Sequence, residues 1–223
     1  MPIEMQNIDV WVFDLDNTLY SPLRSDLMPQ MHERMQEFIM AEFSVDLAEA
    51  DRRRQFYYEK YGTTLRGLME HHGLDPEKFL PYCHQLDLSE IKYDRSLDDA
   101  LSGLPGRKIV YTNATKAHAT AVMGCLGISG HFEDIFDIAD ANYLPKPHLS
   151  SYEVFLKKHE VNPTRAVMFE DTAKNLKPAH DLGMTTVWMK NTRPGAIPDS
   201  NNQRHIHHIA EELSDFLRAL FVS

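Results

Sequence analysis

The stretch Ile8-Asp9-Val10-Trp11-Val12-Phe13-Asp14-Leu15-Asp16-Asn17-Thr18-Leu19-Tyr20 decides how this chain is read. An apolar run over residues 8–13 stops at two carboxylates spaced two positions apart, and a threonine follows. A run this short, rich in Val, Ile, Trp and Phe, reads as a buried strand. Side chains on an extended chain alternate faces, so Asp14 and Asp16 project to the same side. At the carboxyl end of a central parallel strand, that side faces the crevice in which open α/β sheets bind ligands. Two acids held together there repel each other unless a cation or a shared proton joins them. Such a pair suits a magnesium-dependent enzyme with an aspartate nucleophile. Asp-Asn-Thr equally suits a turn or helix cap, so the choice rests on other segments.

Three later segments bear on it. Ile109-Val110-Tyr111 leads into Thr112 and Asn113, where a hydroxyl and a backbone amide offer hydrogen bonds to phosphate oxygens; Thr-Asn is also an ordinary loop start. Leu144-Pro145-Lys146-Pro147 sets one lysine between two prolines, which suits a pre-positioned cation or a plain surface turn. Val167-Met168-Phe169 runs into Glu170 and Asp171, a second acidic pair at a strand end. Magnesium prefers hard oxygen ligands and is commonly held by one or two carboxylates plus substrate phosphate.

Around these segments the chain reads as a strand, a helical insertion and then regular αβ alternation. Residues 21–88 show no strand pattern. Met28, Met31, Met35, Phe38 and Ile39 recur at helical spacing, a stripe read as core packing. Asp46 and Glu49 form a capping-box pattern opening a second helix that Gly62 ends, and Arg52, Arg53 and Arg54 within it read as a solvated face. Residues 64–72 read as a short helix closed by Gly73, with His71 and His72 at its C-terminal dipole end. Asp75, Pro76 and Glu77 open another. Beyond Ser96, helices are expected over 97–101, 115–126, 150–159, 173–182 and 211–221, and strands over 107–111, within 132–139, over 166–169 and over 185–189. This alternation implies an α/β fold of right-handed βαβ units on a doubly wound parallel sheet, with the insertion above its carboxyl edge. The expected division is a core of residues 1–20 and 89–223 and a helical cap of residues 21–88. A strand near Asp87 and Asp94 is expected to act as hinge, with no chemistry assigned to those acids. His205, His207 and His208 read as a solvated connection rather than a metal site.

With 223 residues, 43% hydrophobic and 25% charged, the composition suits one sizeable soluble domain plus a smaller insert. A formal net charge of −10 argues against a nucleic-acid polymer or an anionic membrane as main partner. A phosphate substrate must then be attracted by local positive groups: a metal ion, one lysine and helix N-termini. No apolar stretch approaches the ~18 residues that span a membrane, and no secretory pattern opens the sequence. Cys83 and Cys125 are the only cysteines and are expected to be buried thiols in a cytoplasmic protein. Neither GxxxxGK nor GxGxxG occurs, so ATP-driven and dinucleotide chemistry lacks its usual motif. Monomer and homodimer both remain open.

In order and spacing, FDLDNTLY (13–20), YTN (111–113), KP (146–147) and FED (169–171) resemble the four motifs of the haloacid dehalogenase superfamily. The resemblance spans residues 10–188 and implies a Rossmann-like core with a small cap, acting as an Mg2+-dependent phosphomonoester hydrolase on a small-molecule substrate. It implies Asp14 as the nucleophile that forms an aspartyl-phosphate, and Asp16 as general acid and base. Asp14, the backbone carbonyl of Asp16, and Asp171 would hold the magnesium. Thr112, Asn113 and Lys146 would bind the phosphoryl group, with Lys146 also neutralising the nucleophile and Glu170 and Asn175 in support. Tyr20, the segment Tyr61-Gly62-Thr63-Thr64-Leu65-Arg66-Gly67-Leu68, and Asn175-Leu176 after FED resemble the pyrimidine 5′-nucleotidase branch, whose members hydrolyse UMP or CMP. Tyr20, Tyr61 and Arg66 thereby become candidates for ring and ribose contacts; packing tyrosines and a surface arginine are the plainer readings. Phosphoglycolate or a sugar phosphate is the alternative substrate. A non-catalytic module that binds a phosphometabolite or a partner is the alternative of another class.

Overall fold

The computed structural model describes residues 3–23, 25–190 and 203–222; residues 1, 2, 24, 191–202 and 223, which the expected core and cap include, lie outside it. Strand β1 (Val10–Phe13) is buried at all four positions, which is why its sequence reads as a nearly unbroken apolar run. It sits inside a parallel sheet with β2 (Arg107–Tyr111), β3 (Asp134–Phe136), β4 (Ala166–Glu170), β5 (Thr185–Met189) and β6 (His208–Ala210). The strand order is β3-β2-β1-β4-β5-β6. Phe13 stands level with Val110 on one side and Phe169 on the other, so three strands end together and the order reverses at β1. That is where ligands enter sheets of this kind.

Helices cover both faces. On one, Trp11, Phe13, Val110 and Phe169 pack with residues of α5 (Arg95–Gly103), α6 (Lys116–Leu126) and α9 (Leu213–Ala219), and the Phe13 and Phe169 rings stack at 4.7 Å. On the other, Val12, Ile109, Tyr111 and Met168 pack with α7 (Leu149–Lys158) and α8 (Ala173–Asp181).

Between β1 and α5 the chain inserts α1 (Leu27–Phe43), α2 (Leu47–Tyr61), α3 (Thr64–His72) and α4 (Pro76–Cys83). Asp46, Thr63 and Asp75 accept backbone N–H bonds at the N-termini of α2, α3 and α4, as their sequence positions favour. The insert has its own apolar cluster, including Ile39, Tyr57, Leu65, Leu68 and Phe79, which reaches Ile138 below. Its tightest contact is α2 on α3, where a Cβ at Gly67 would fall 2.3 Å from the Tyr57 ring. Overpacking of this kind costs roughly 1–3 kcal/mol. Gly67→Ala is therefore expected to lower the melting temperature by several degrees in thermal unfolding followed by circular dichroism; an unchanged melt would show this contact to be slack.

The structure departs from the sequence reading in five places. The histidine segment is no solvated connection: His208 opens β6, His205 Nε2 donates to the Ala173 carbonyl at 3.0 Å, and His207 Nδ1 accepts from the Thr186 N–H at 3.1 Å. A three-residue edge strand with one buried side chain carries too little alternation to be read. No strand forms between α4 and α5 among the described residues; Asp94 instead caps α5 through the Leu97 N–H at 3.0 Å. Cys83 is buried as expected, but Cys125 is only half-buried. Of the three arginines on α2, Arg54 turns inward instead of into solvent, with its side chain 13% exposed. Met28, Met31 and Met35 line a cavity beneath the insert rather than serving packing alone.

Candidate active site

The site begins where β1 ends. Asp14 continues the ladder, its N–H donating to the Phe169 carbonyl at 2.9 Å. The chain then turns through Asn17, whose φ of 62° is left-handed, a conformation asparagine tolerates. This turn brings the Thr18 hydroxyl back onto Asp14 Oδ2 at 3.1 Å. Lys146 Nζ reaches the other oxygen, Oδ1, at 2.8 Å. The same ammonium donates to Glu170 Oε2 at 2.6 Å and to the Tyr111 carbonyl at 2.8 Å, so all three of its protons are used. Its side chain is 1% exposed. Burial pulls its pKa down, but Asp14 and Glu170 outweigh that and hold it well above the ordinary lysine range.

Asn113 places that lysine. Its Oδ1 accepts from the Lys146 N–H at 2.8 Å and its Nδ2 donates to the Lys146 carbonyl at 3.3 Å, so its amide is spent on the loop. The Thr112 N–H donates to Phe136 and its hydroxyl accepts from the Ala114 N–H at 2.9 Å; Thr112 lines the cavity at the end of β2.

Ligand oxygens of Asp14, Glu170 and Asp171 lie within 4.8 Å of one another. Burial, then the charge of Glu170, raises Asp14 to about 7; burial and Asp171 raise Glu170 to about 7; burial and Asp14 raise Asp171 to about 6. When all three are ionised, three carboxylates against one ammonium leave the cluster two charges short of neutrality. Asn17 Oδ1 and Asn175 Oδ1 are buried without a hydrogen-bond partner among the described residues, and both residues line the same cavity. Hard oxygens, unmatched negative charge and orphaned acceptors fit a hydrated divalent cation. The cluster holds the two expected carboxylates, Asp14 and Asp171, and adds Glu170; the ligand expected of Asp16 is its backbone carbonyl, not its side chain.

Asp16 turns elsewhere. Its Oδ1 accepts from the Tyr20 hydroxyl at 2.7 Å and bonds His118 Nε2 at 3.0 Å. His84, which follows α4, stacks on the His118 ring at 4.7 Å. Burial pushes Asp16 up, but His118, Tyr20 and His84 together outweigh it and hold the carboxyl below its usual range. Burial, with the charge of His118, lowers His84 to about 4. Neighbouring carboxylates are thus driven in opposite directions, the pattern of paired groups with distinct tasks.

Above these groups the insert closes a cavity of about 220 Å³. Met28, Met31, Met35 and Phe79 form an apolar wall, with Arg54, His32, Tyr58 and Lys174 as its polar members. The three substrate candidates from the insert and the first turn do not meet there. Tyr20 is buried against Asp16. The Tyr61 hydroxyl bonds His71, Arg66 pairs with Glu70, and neither lines the cavity. Asn175 lines it, as noted, while its backbone carbonyl accepts from Tyr152. Sequence reasoning missed His118, His84, Thr18, Arg54 and Tyr58.

Known proteins share this fold. The chain is 27% identical over 193 residues, 78% of its own length, to Phosphate metabolism protein 8 of Saccharomyces cerevisiae, and spans only 59% of that protein. Among solved structures, a HAD phosphatase from Thermococcus onnurineus superposes with a TM-score of 0.63 at 17% identity, covering 96% of this chain and 98% of that one. The magnesium-bound HAD-hydrolase YfnB of Bacillus subtilis gives 0.60 at 16% identity, covering 96% and 99%. A family model for haloacid dehalogenase-like hydrolases matches residues 8–183, from the start of β1 to the turn before β5, and the chain belongs to that family.

Proposed function

We propose that this protein is a Mg2+-dependent phosphomonoester hydrolase working through an aspartyl-phosphate on Asp14, with a pyrimidine nucleoside 5′-monophosphate as substrate. The observation that carries the reaction is the placement of Asp14: one oxygen on Lys146, the other on Thr18, at the edge of a cluster with Glu170 and Asp171. Asp14 would attack phosphorus as the ester P–O bond breaks, and Asp16 would give the leaving oxygen its proton. Asp16 would then take a proton from the water that attacks the aspartyl-phosphate, restoring Asp14 and releasing phosphate. The His118 and Tyr20 contacts hold Asp16 below the usual carboxylate range, which suits its second task, as base toward the attacking water; for the first it must take up a proton as substrate binds. Asp14, Glu170 and Asp171 would hold Mg2+, which supplies positive charge for the phosphoryl oxygens.

The nucleotide assignment rests on the branch resemblance and on the cavity, where an apolar wall with arginine and histidine donors suits a planar base with polar edges. The test is phosphate release from UMP and CMP by purified protein with Mg2+, beside phosphoglycolate and ribose 5-phosphate. Preference for an ester without a base removes the nucleotide assignment and leaves the mechanism standing. His118→Ala is expected to lower kcat roughly tenfold or more, with a smaller change in KM, because a misplaced general acid forfeits part of its 10²–10⁴-fold contribution. An unchanged kcat would mean that Tyr20 alone positions Asp16.

A further inference from the structure

Arg54 lines this cavity, carries charge and has no role in the reaction steps above. On α2 it shares a helix face with buried Ala50 and Tyr57, and it lines the same cavity as the apolar wall. Arg54 Nε and Nη2 both donate to Asp51 Oδ1, at 3.1 and 2.8 Å. Gln36 donates to the same oxygen at 2.7 Å, and Gln55 to Asp51 Oδ2 at 2.8 Å. The Thr64 hydroxyl donates to the Arg54 carbonyl at 3.0 Å, tying α2 to the start of α3. The guanidinium is therefore held rigidly with its charge matched, while Nη1 donates to no protein atom among the described residues.

We infer that Arg54, neutralised by Asp51, selects the leaving group: it offers N–H donors to an uncharged acceptor such as a nucleobase carbonyl and discriminates against esters whose leaving group carries a second negative charge. This rests on the phosphomonoesterase reading of the site. The reason is electrostatic. A matched ion pair still presents directional donors, and a donor left unpaired by the wrong ligand penalises it strongly. A carboxylate or second phosphate in the same place would compete with Asp51 for the guanidinium, above a floor that already holds Asp14, Asp16, Glu170 and Asp171. Of the other lysines lining the cavity, Lys146 is spent on Asp14 and Glu170, and Lys174 is exposed and stands 4.5 Å over the Tyr58 ring.

The experiment compares kcat/KM for UMP, ribose 5-phosphate and phosphoglycolate in wild type, Arg54→Met, Arg54→Lys and Asp51→Asn, each with its melting temperature. Arg54→Met is expected to lower kcat/KM for UMP about 10–100-fold more than for ribose 5-phosphate, the scale of one lost charge-assisted hydrogen bond. Asp51→Asn frees the charge, and should raise the phosphoglycolate-to-UMP ratio about tenfold. Should Arg54→Met fail to fold, Arg54→Lys, which keeps the charge and loses the fork, decides together with Asp51→Asn. Equal losses on UMP and ribose 5-phosphate, or an unmoved ratio in Asp51→Asn, would overturn the inference. Wild-type protein that hydrolyses none of the three esters with Mg2+ would instead sink the reading beneath it.

Discussion

Asp14→Asn is expected to give a folded protein with no measurable turnover. The substitution changes one oxygen to an amide nitrogen at nearly constant shape, so the apolar frame of Phe13, Leu15 and Phe169 around the position is undisturbed. Asparagine keeps an acceptor for Lys146 at the Oδ1 position and loses the acceptor that Thr18 uses at Oδ2. An amide is not a competent nucleophile toward phosphorus, and removing a covalent nucleophile costs on the order of 10⁴-fold or more in kcat. Stability should move the other way. Burial and Glu170 raise the Asp14 pKa to about 7, so at pH 8 the metal-free wild type carries a buried charge that the variant lacks. Its melting temperature at that pH should equal or exceed that of wild type. Steady-state phosphate release and a melt without metal measure both. Activity within tenfold of wild type would end the nucleophile assignment. A collapse of the melt would show that the carboxylate is chiefly structural.

Much of this site is legible in the sequence because the fold puts chemistry where strands stop. The acids after β1 and β4 interrupt apolar runs, and β1 and β4 are sheet neighbours in register, so the two acidic pairs had to converge. Lys146 was flagged by its two prolines, and the structure adds why it points inward: Asn113 grips its backbone from the end of β2. That use of an asparagine has no signature beyond its place after Thr112.

What escaped reading lies on helices, where a functional residue looks like any surface residue. His118 falls in the first turn of α6, three residues after the Thr115 cap. Only the path of the chain, from the end of β2 back over the crevice, brings that turn behind Asp16. Arg54 was hidden in a run of three arginines. Successive helical residues are about 100° apart, so three in a row cannot share one face. Ala50, Arg54, Tyr57 and Tyr61 recur at helical spacing, and the buried Ala50 and Tyr57 mark that stripe as the inner one. Arg52 and Arg53 instead pair with Glu49. Tyr20 is a substrate candidate only by its motif, with packing as the plainer reading; four residues after Asp16 it closes the same turn and spends its hydroxyl on that carboxylate.

Chelation is the second large effect to expect: with EDTA, phosphate release should fall to background, and Mg2+ should restore it. The stability of the protein should report the same ion independently of activity. Asp14, Glu170 and Asp171 all have folded-state pKa values raised above the ordinary carboxylate range, to about 7, 7 and 6. A group raised on folding contributes stability that is full below its unfolded pKa and is lost as pH climbs through the folded value. For these three the window runs from about pH 4 to pH 7. Lys146, raised as well, stays protonated throughout and does not offset the trend. Metal-free protein should therefore melt lower at pH 8 than at pH 5.5. Mg2+ binds the ionised cluster, so its stabilisation should grow over the same interval. At roughly 100 times Kd the ligand term is about 2.7 kcal/mol, or roughly 5–10 °C for a chain of this size. Melts at both pH values with EDTA and with Mg2+ measure it. The variant Asp171→Asn should lose most of the Mg2+ increment while gaining stability without metal at pH 8. A Mg2+ increment equal at the two pH values, or undiminished in Asp171→Asn, would separate the ion from this cluster and leave Lys146, which holds Asp14 and Glu170, to neutralise the phosphoryl group from the end of β1.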